Sequence, residues 1–209
     1  VSVRAQRVVA YGDRAVLVEL AGPDEVVAWT AALRAGPPGW LADLVPAART
    51  VLVVGDGSLP VPQLAERVAR IEADADAGGT SEGREVRIEV RYDGPDLAEV
   101  ARATGLDEAA VVRAHTAGPW RVAFGGFAPG FAYLVGGDPR LRVGRRDAPR
   151  PRVPAGAVGL AGAYTGVYPR ESPGGWQLIG HTDAALWDVR SDPPALLAPG
   201  DRVHFVEIG

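Results

Sequence analysis

Through Val90 the chain alternates strand-like and helix-like patterns. Arg7 to Tyr11 and Ala15 to Leu20 flank a Gly12-Asp13 turn and predict a β-hairpin. Asp24, after Pro23, is placed to cap a helix running to about Ala35, where Gly36-Pro37-Pro38 stops it. Val51 to Val54 reads as a short buried strand. Leu64, Val68 and Ile71 recur at helical spacing and predict an amphipathic helix from about Leu59 to Ala75. Ala77 to Gly83 is small and polar and reads as a linker, after which Val86, Ile88 and Val90 alternate as a new strand.

Two short helices follow. Pro95 fits the first turn of one ending at Gly105, and Asp107 is placed to cap the next, which ends by Gly118-Pro119. Beyond Pro119 no long helical period survives, and more than half of all glycines and prolines fall between positions 119 and 200. Between these breakers lie short strand patterns at Trp120 to Phe124, Val158 to Leu160, Trp176 to Ile179 and Val203 to Ile208, which predict a sandwich or barrel. The expected fold is an α+β N-terminal domain (residues 1–85) followed by a mainly β domain (residues 86–209).

Composition narrows the function. The 209 residues are 47% hydrophobic and 23% charged. No apolar run reaches the ~18 residues a membrane span needs, and Val1-Ser2-Val3-Arg4 does not resemble a secretory leader. Cysteine is absent, which excludes disulfides and thiolate metal sites. These features predict a cytoplasmic protein that does not bind a membrane. Lysine is absent too, so a P-loop lysine, Schiff-base chemistry and a biotin attachment site are excluded, and no covalent cofactor is expected. A net charge of −4 argues against nucleic acid as a partner.

Candidate chemistry gathers in three segments. The histidines His115, His181 and His204 lack metal-ligand spacing, so no metal site is expected. His115 reads as a helix C-terminal residue favouring the dipole and His204 as a strand residue, while His181, after a Gly-rich turn, is open to a structural or a site role. Phe124-Gly-Gly-Phe-Ala-Pro-Gly-Phe-Ala-Tyr-Leu134 puts aromatics on a loop that either plugs a barrel or walls a pocket. Arg140, Arg142, Arg145, Arg146, Arg150 and Arg152 form either a solvated face or, where prolines flank Arg150 and Arg152, an aimed fork for a carboxylate, a phosphate or an acidic partner. In Ser172-Pro-Gly-Gly-Trp-Gln-Leu-Ile-Gly-His-Thr182, Gly174 and Gly175 make a tight turn. Trp176 and Gln177 then face opposite ways, and Gln177 either meets water or orients an amide.

These segments, in this order, resemble the allophanate hydrolase subunit 1 family. The resemblance rests on Gly126-Phe-Ala-Pro-Gly-Phe-Ala-Tyr-Leu134, Asp138-Pro-Arg-Leu141, Pro149-Arg-Pro-Arg-Val-Pro-Ala-Gly156, Thr165-Gly-Val-Tyr-Pro169 and Ser172 to Gly180, with weaker support from Tyr92-Asp-Gly-Pro-Asp-Leu97. The family includes the smaller partner of 5-oxoprolinase, part of the carboxyltransferase region of urea carboxylase, and an inhibitor of a sporulation histidine kinase. The resemblance implies a cyclophilin-like β-barrel as the second domain. It implies ATP, with magnesium, in an assembled complex that opens 5-oxo-L-proline to L-glutamate. The implied partners are a larger allophanate hydrolase subunit 2 type protein and a third oxoprolinase subunit. A kinase-binding regulatory module and a urea or allophanate hydrolase subunit are the alternatives.

The expected catalytic residues are Arg152, Gln177 and His181. The expected substrate or ATP contacts are Arg150, Phe131, Tyr164, Trp176, Gly174 and Gly175. Tyr164 stands where the family commonly has glutamine and His181 where arginine is common.

Overall fold

The chain divides into two compact units at Gly83; a computed structural model describes residues 2–74 of the first and 83–209 of the second. The linker read at Ala77 to Gly83 therefore lies, apart from Gly83, outside the described residues.

The first unit runs β1 (Ser2–Arg4), β2 (Arg7–Tyr11), β3 (Ala15–Glu19), α1 (Pro23–Ala35), β4 (Leu41–Pro46), β5 (Thr50–Gly55), α2 (Val61–Ala69) and β6 (Glu72–Asp74). Four strands form an antiparallel sheet in the order β2-β3-β5-β4, and β1 pairs with β6. Tyr11 and Ala15 close the expected hairpin over Gly12, whose φ of 69° suits a residue without a Cβ. Val16, Val18, Val51 and Val53 from the sheet share a core with Trp29 of α1 and with Leu64 and Val68 of α2. Two boundaries differ from the sequence reading. Gly22, not Asp24, occupies the N-cap of α1, and Asp24 sits in the first turn, where its charge complements the helix dipole. The second helix ends at Ala69 because the chain turns at Arg70 into β6, where buried Ala73 pairs with Val3.

The second unit runs β7 (Glu85–Val90), α3 (Leu97–Thr104), α4 (Glu108–Thr116), β8 (Trp120–Gly125), β9 (Ala132–Val135), β10 (Arg150–Val153), β11 (Ala157–Ala161), β12 (Tyr164–Val167), β13 (Ser172–Gly174), β14 (Gln177–His181) and β15 (Arg202–Glu207). Seven strands lie in the order β14-β11-β12-β9-β8-β15-β7, all antiparallel neighbours except β15 and β7. The sheet curls until its edges meet. Just past β7, Arg91 exchanges backbone hydrogen bonds of 2.9 and 2.8 Å with His181, and Asp96 N–H donates to the Leu178 carbonyl at 2.9 Å. The result is a nearly closed, barrel-like sheet. Glycine permits the closure, since a Cβ on Gly94 would fall on the Ile179–Gly180 backbone and one on Gly180 on the Arg91 carbonyl.

Ile88, Val122, Leu134, Val158, Leu160, Ile179, Val203 and Phe205 form one core with Val100 of α3 and Val111 of α4. Strand β11 is buried on both faces. Val158 and Leu160 enter that core, whereas Ala157 and Ala161 face a second cluster of Phe131, Tyr168, Trp176 and Leu178. Gly166 extends this small-residue floor. A Cβ there would lie 3.1 Å from the Phe131 ring and 3.2 Å from Trp176.

The expected cap of α4 is present, with the Asp107 carboxylate accepting from Ala110 N–H at 2.6 Å. The start of α3 differs, because Pro95 precedes it and Asp96 occupies the N-cap position without capping. His115 also differs from its sequence reading. It is fully buried, and burial drives its pKa down to about 3, so it is a neutral ring and brings no charge to the helix end. Thr165 Oγ1 donates to the Gly159 carbonyl (3.1 Å) and so accepts from His115 Nε2 (2.8 Å), which leaves Nδ1 to accept from the Tyr92 hydroxyl (2.7 Å). Among the described residues no helix is long and apolar enough to cross a membrane.

Candidate functional site

Asp96 organises the most distinctive polar arrangement in the second unit. Its position invites it to cap α3, yet its carboxylate turns away and is saturated by other partners. Arg150 binds it with both terminal nitrogens, at 2.8 and 2.7 Å, Arg146 Nη1 adds a bond of 2.8 Å, and Leu178 N–H donates at 2.7 Å. The Asp96 side chain is only 4% exposed. Burial pushes its pKa up, but the Arg150 and Leu178 hydrogen bonds and the charges of Arg150 and Arg146 outweigh that and hold it below the ordinary value. The ionised carboxylate thus fixes two guanidinium groups that the sequence places fifty or more residues away.

Beside this hub opens a cleft of about 550 Å³, lined by Pro95, Asp96, Glu99, Arg102, Arg145 and Arg146, with Asp147 and Gln177 completing its rim. The loop that carries Arg145 and Arg146 is tied down at both ends. Arg146 N–H donates to the Gly175 carbonyl at 2.8 Å, and Gln177 Nε2 donates to the Gly144 carbonyl at 3.3 Å. That second bond settles which end of the Gln177 amide points where, and leaves Oε1 as a buried acceptor with no partner. Arg146 Nε is likewise buried without a partner.

The expected site residues separate into three groups. Gln177 lines the cleft, and Gly175 positions Arg146. Arg150 stands behind the cleft with its fork spent on Asp96. Arg152 goes elsewhere; its side chain is 79% exposed and meets Glu171 at 3.3 Å. The Arg150–Arg152 fork anticipated from the flanking prolines is not formed, because the two guanidinium groups find separate carboxylates.

Phe131 and Trp176 are buried, with ring centroids 5.4 Å apart, edge to face. Tyr164 is partly buried against Tyr133 and Phe124. These rings form a packed cluster and not an open wall. Phe127 packs edge to face on Phe131 at 5.2 Å from the outside of the cluster and is 58% exposed, with a φ of 67°, a conformation bulky residues rarely adopt. Gly174 is hemmed in by the Tyr168 ring, so a Cβ there would strike the Tyr168 hydroxyl.

His181 ends β14, four residues and about 13 Å along the strand from Gln177. Its Nδ1 lies 2.7 Å from Asp93 Oδ1. Asp93 therefore fixes the tautomer with Nδ1–H, leaving Nε2 as the basic nitrogen. His181 is not among the residues that line the cleft with Gln177.

Asp96, Asp93 and Tyr168 are absent from the sequence-based list. Tyr168 links the two clusters, since its ring packs on Phe131 while its phenol feels the charge of Arg145; burial raises its pKa against that charge. The signal for Asp93 and Asp96 is the Tyr92–Leu97 stretch, whose acids read most simply as turn and cap residues.

Residues 6–197 match the family described as carboxyltransferase domain, subdomain C and D. The chain is 41% identical over 204 residues to the B subunit of 5-oxoprolinase from Escherichia coli O157:H7, covering 93% of each protein. It is 47% identical over 146 residues to the corresponding 5-oxoprolinase component of Bacillus subtilis, a match covering 68% of this chain and 59% of that protein. The crystal structure of TTHA0988 superposes with a TM-score of 0.76 at 38% identity, over 94% of this chain and 40% of the other.

Proposed function

Since the chain belongs to the carboxyltransferase domain family, of the allophanate hydrolase subunit 1 type, we propose that it is the smaller (B) subunit of an ATP-dependent 5-oxoprolinase. In this reading it acts in the cytoplasm with a larger allophanate hydrolase subunit 2 type protein, and with a third subunit, to open 5-oxo-L-proline to L-glutamate. Residues 1–85 and 86–209 are its two domains, the second a cyclophilin-like barrel. The observation that carries the reading is the end-to-end match to the Escherichia coli protein, at 93% of both chains.

The chemistry explains the need for ATP. A lactam carbon is a poor electrophile. Transfer of the γ-phosphoryl group to the lactam oxygen, with ADP leaving, makes the ring carbon electrophilic; water adds there, the C–N bond opens as nitrogen takes a proton to leave an acyl phosphate, and a second water hydrolyses that to the carboxylate and phosphate. In this chain Gln177 tethers the arginine loop that lines the cleft, and His181, held by Asp93, is a proton carrier farther along β14. Among the described residues no group of three or more histidines and carboxylates is placed to hold a metal ion.

Co-expression with the neighbouring larger subunit, followed by assay of glutamate from 5-oxoproline with and without ATP, tests the proposal. ATP-dependent glutamate supports it. A complex that assembles fully and forms none overturns it. The exposed, strained Phe127 favours a second reading, a regulatory module docking on a histidine kinase; recovery of a kinase without the larger subunit supports that reading instead.

A further inference from the structure

We propose that the Asp96 cleft receives the carboxylate of the amide substrate, held by Arg145 and Arg146, and that the phosphates of ATP are bound elsewhere in the complex. This inference rests on the 5-oxoprolinase reading and adds to it which ligand this chain takes and with which residues.

The charges decide between the two anions. The lining of the cleft carries Arg102, Arg145 and Arg146 against Asp96, Glu99 and Asp147. Glu99 is engaged by Arg102 at 2.5 Å, and Asp96 by Arg146 and Arg150. Counting Arg150 with the lining leaves a single excess positive charge. That balance suits a monoanion; a triphosphate would meet Asp147 with too little positive charge to offset it.

The donors are specific. Arg146 gives Nη1 to Asp96, its side chain is still 34% exposed, and Nη2 makes no hydrogen bond among the described residues. Arg145, next in the same tethered loop, is exposed and forms no ion pair among the described residues. Asp96 sets the direction of Arg146 from below, so the guanidinium is oriented before a ligand arrives. Pre-orientation of this kind lowers the entropy cost of binding. The lining also holds an acceptor for an amide N–H in the carboxylate of Asp147, which forms no ion pair among the described residues. A carboxylate and an N–H on one small ring match that set, whereas a triphosphate offers acceptors only.

The test is steady-state kinetics on the assembled complex with Arg145→Gln and Arg146→Gln, using 5-oxo-L-proline and its analogue lacking the carboxylate, 2-pyrrolidinone. Loss of a charged hydrogen bond predicts a KM for 5-oxoproline raised about tenfold or more. The KM for ATP should be unchanged, and the preference for 5-oxoproline over 2-pyrrolidinone should collapse. Arg145→Gln guards against misfolding, since it breaks no bond to Asp96. A rise in the KM for ATP alone, or no change in either KM, overturns the assignment while the wild-type activity keeps the functional reading intact. A wild-type complex without 5-oxoprolinase activity sinks both.

Discussion

Arg150 grips Asp96 through two parallel hydrogen bonds of 2.8 and 2.7 Å, and this pair ties strand β10 to the N-terminus of α3. A planar guanidinium facing a carboxylate is the strongest arrangement either group can make. Here it sits at the seam where the barrel closes, because Asp96 also bonds the backbone of Leu178. One carboxylate thus joins the closure of the fold to the wall of the cleft.

Removing either partner should be costly. Asp96→Ala leaves Arg150 and Arg146 without their counter-charge, and a loss of roughly 3 kcal/mol is expected in denaturant unfolding. Arg152→Ala, by contrast, removes only a solvent-exposed pair and should leave the denaturation midpoint unchanged. Equal effects at the two positions would contradict the separate roles of Asp96 and Arg152.

Acid should destabilise the protein in two windows. An unfolded histidine takes up a proton near its ordinary value of 6.5, while folded His115 resists until about 3. Stability therefore falls with pH between these values, by up to about 1.4 kcal/mol per pH unit. Asp96 acts at lower pH. Its folded pKa lies below the ordinary 3.8, so its contribution is complete above that value and is lost as pH falls through the folded one. Equilibrium unfolding from pH 7 to 4 should show the histidine slope, and His115→Gln should flatten it.

The aromatic cluster should behave as core. Trp176→Ala is expected to cost about 3–5 kcal/mol, read from unfolding curves together with a loss of near-ultraviolet circular dichroism. A stability change near zero would mean that Trp176 does not pack on the Gly159–Gly166 floor.

Closure of the sheet depends on glycine at Gly94 and Gly180. Gly94→Ala puts a methyl group on the backbone of β14, so hydrogen exchange at the Arg91 and His181 amides should rise sharply while the amides of β11 stay protected.

How far the sequence revealed this arrangement depended on whether a signal was local. The β2–β3 hairpin, the Asp107 cap and β15 were legible because apolar alternation and cap chemistry act over a few residues. Strands β9, β10, β12 and β13 were not, since they are three or four residues long and carry glycine or proline or lie beside them; their pairing is set by neighbours far along the chain. The α2 boundary was overrun because Ile71 keeps the helical spacing while packing on the core from beyond the helix end. Gln177 and the arginine-rich loop were visible as candidates from residue chemistry. Which arginine does what was not, because Asp96 selects Arg150 and Arg146 from some fifty residues away and leaves Arg152 to Glu171. Phe131 and Trp176 looked like pocket walls for the same reason, since only the fold shows what covers a ring.

The most direct measurement is glutamate formed from 5-oxo-L-proline per ATP hydrolysed, by the purified complex of this chain with the proposed larger subunit. The account predicts ATP-dependent glutamate that disappears when this chain is left out. Glutamate production that continues unchanged without this chain, or ATP hydrolysis with no glutamate from the complete assembly, would contradict it.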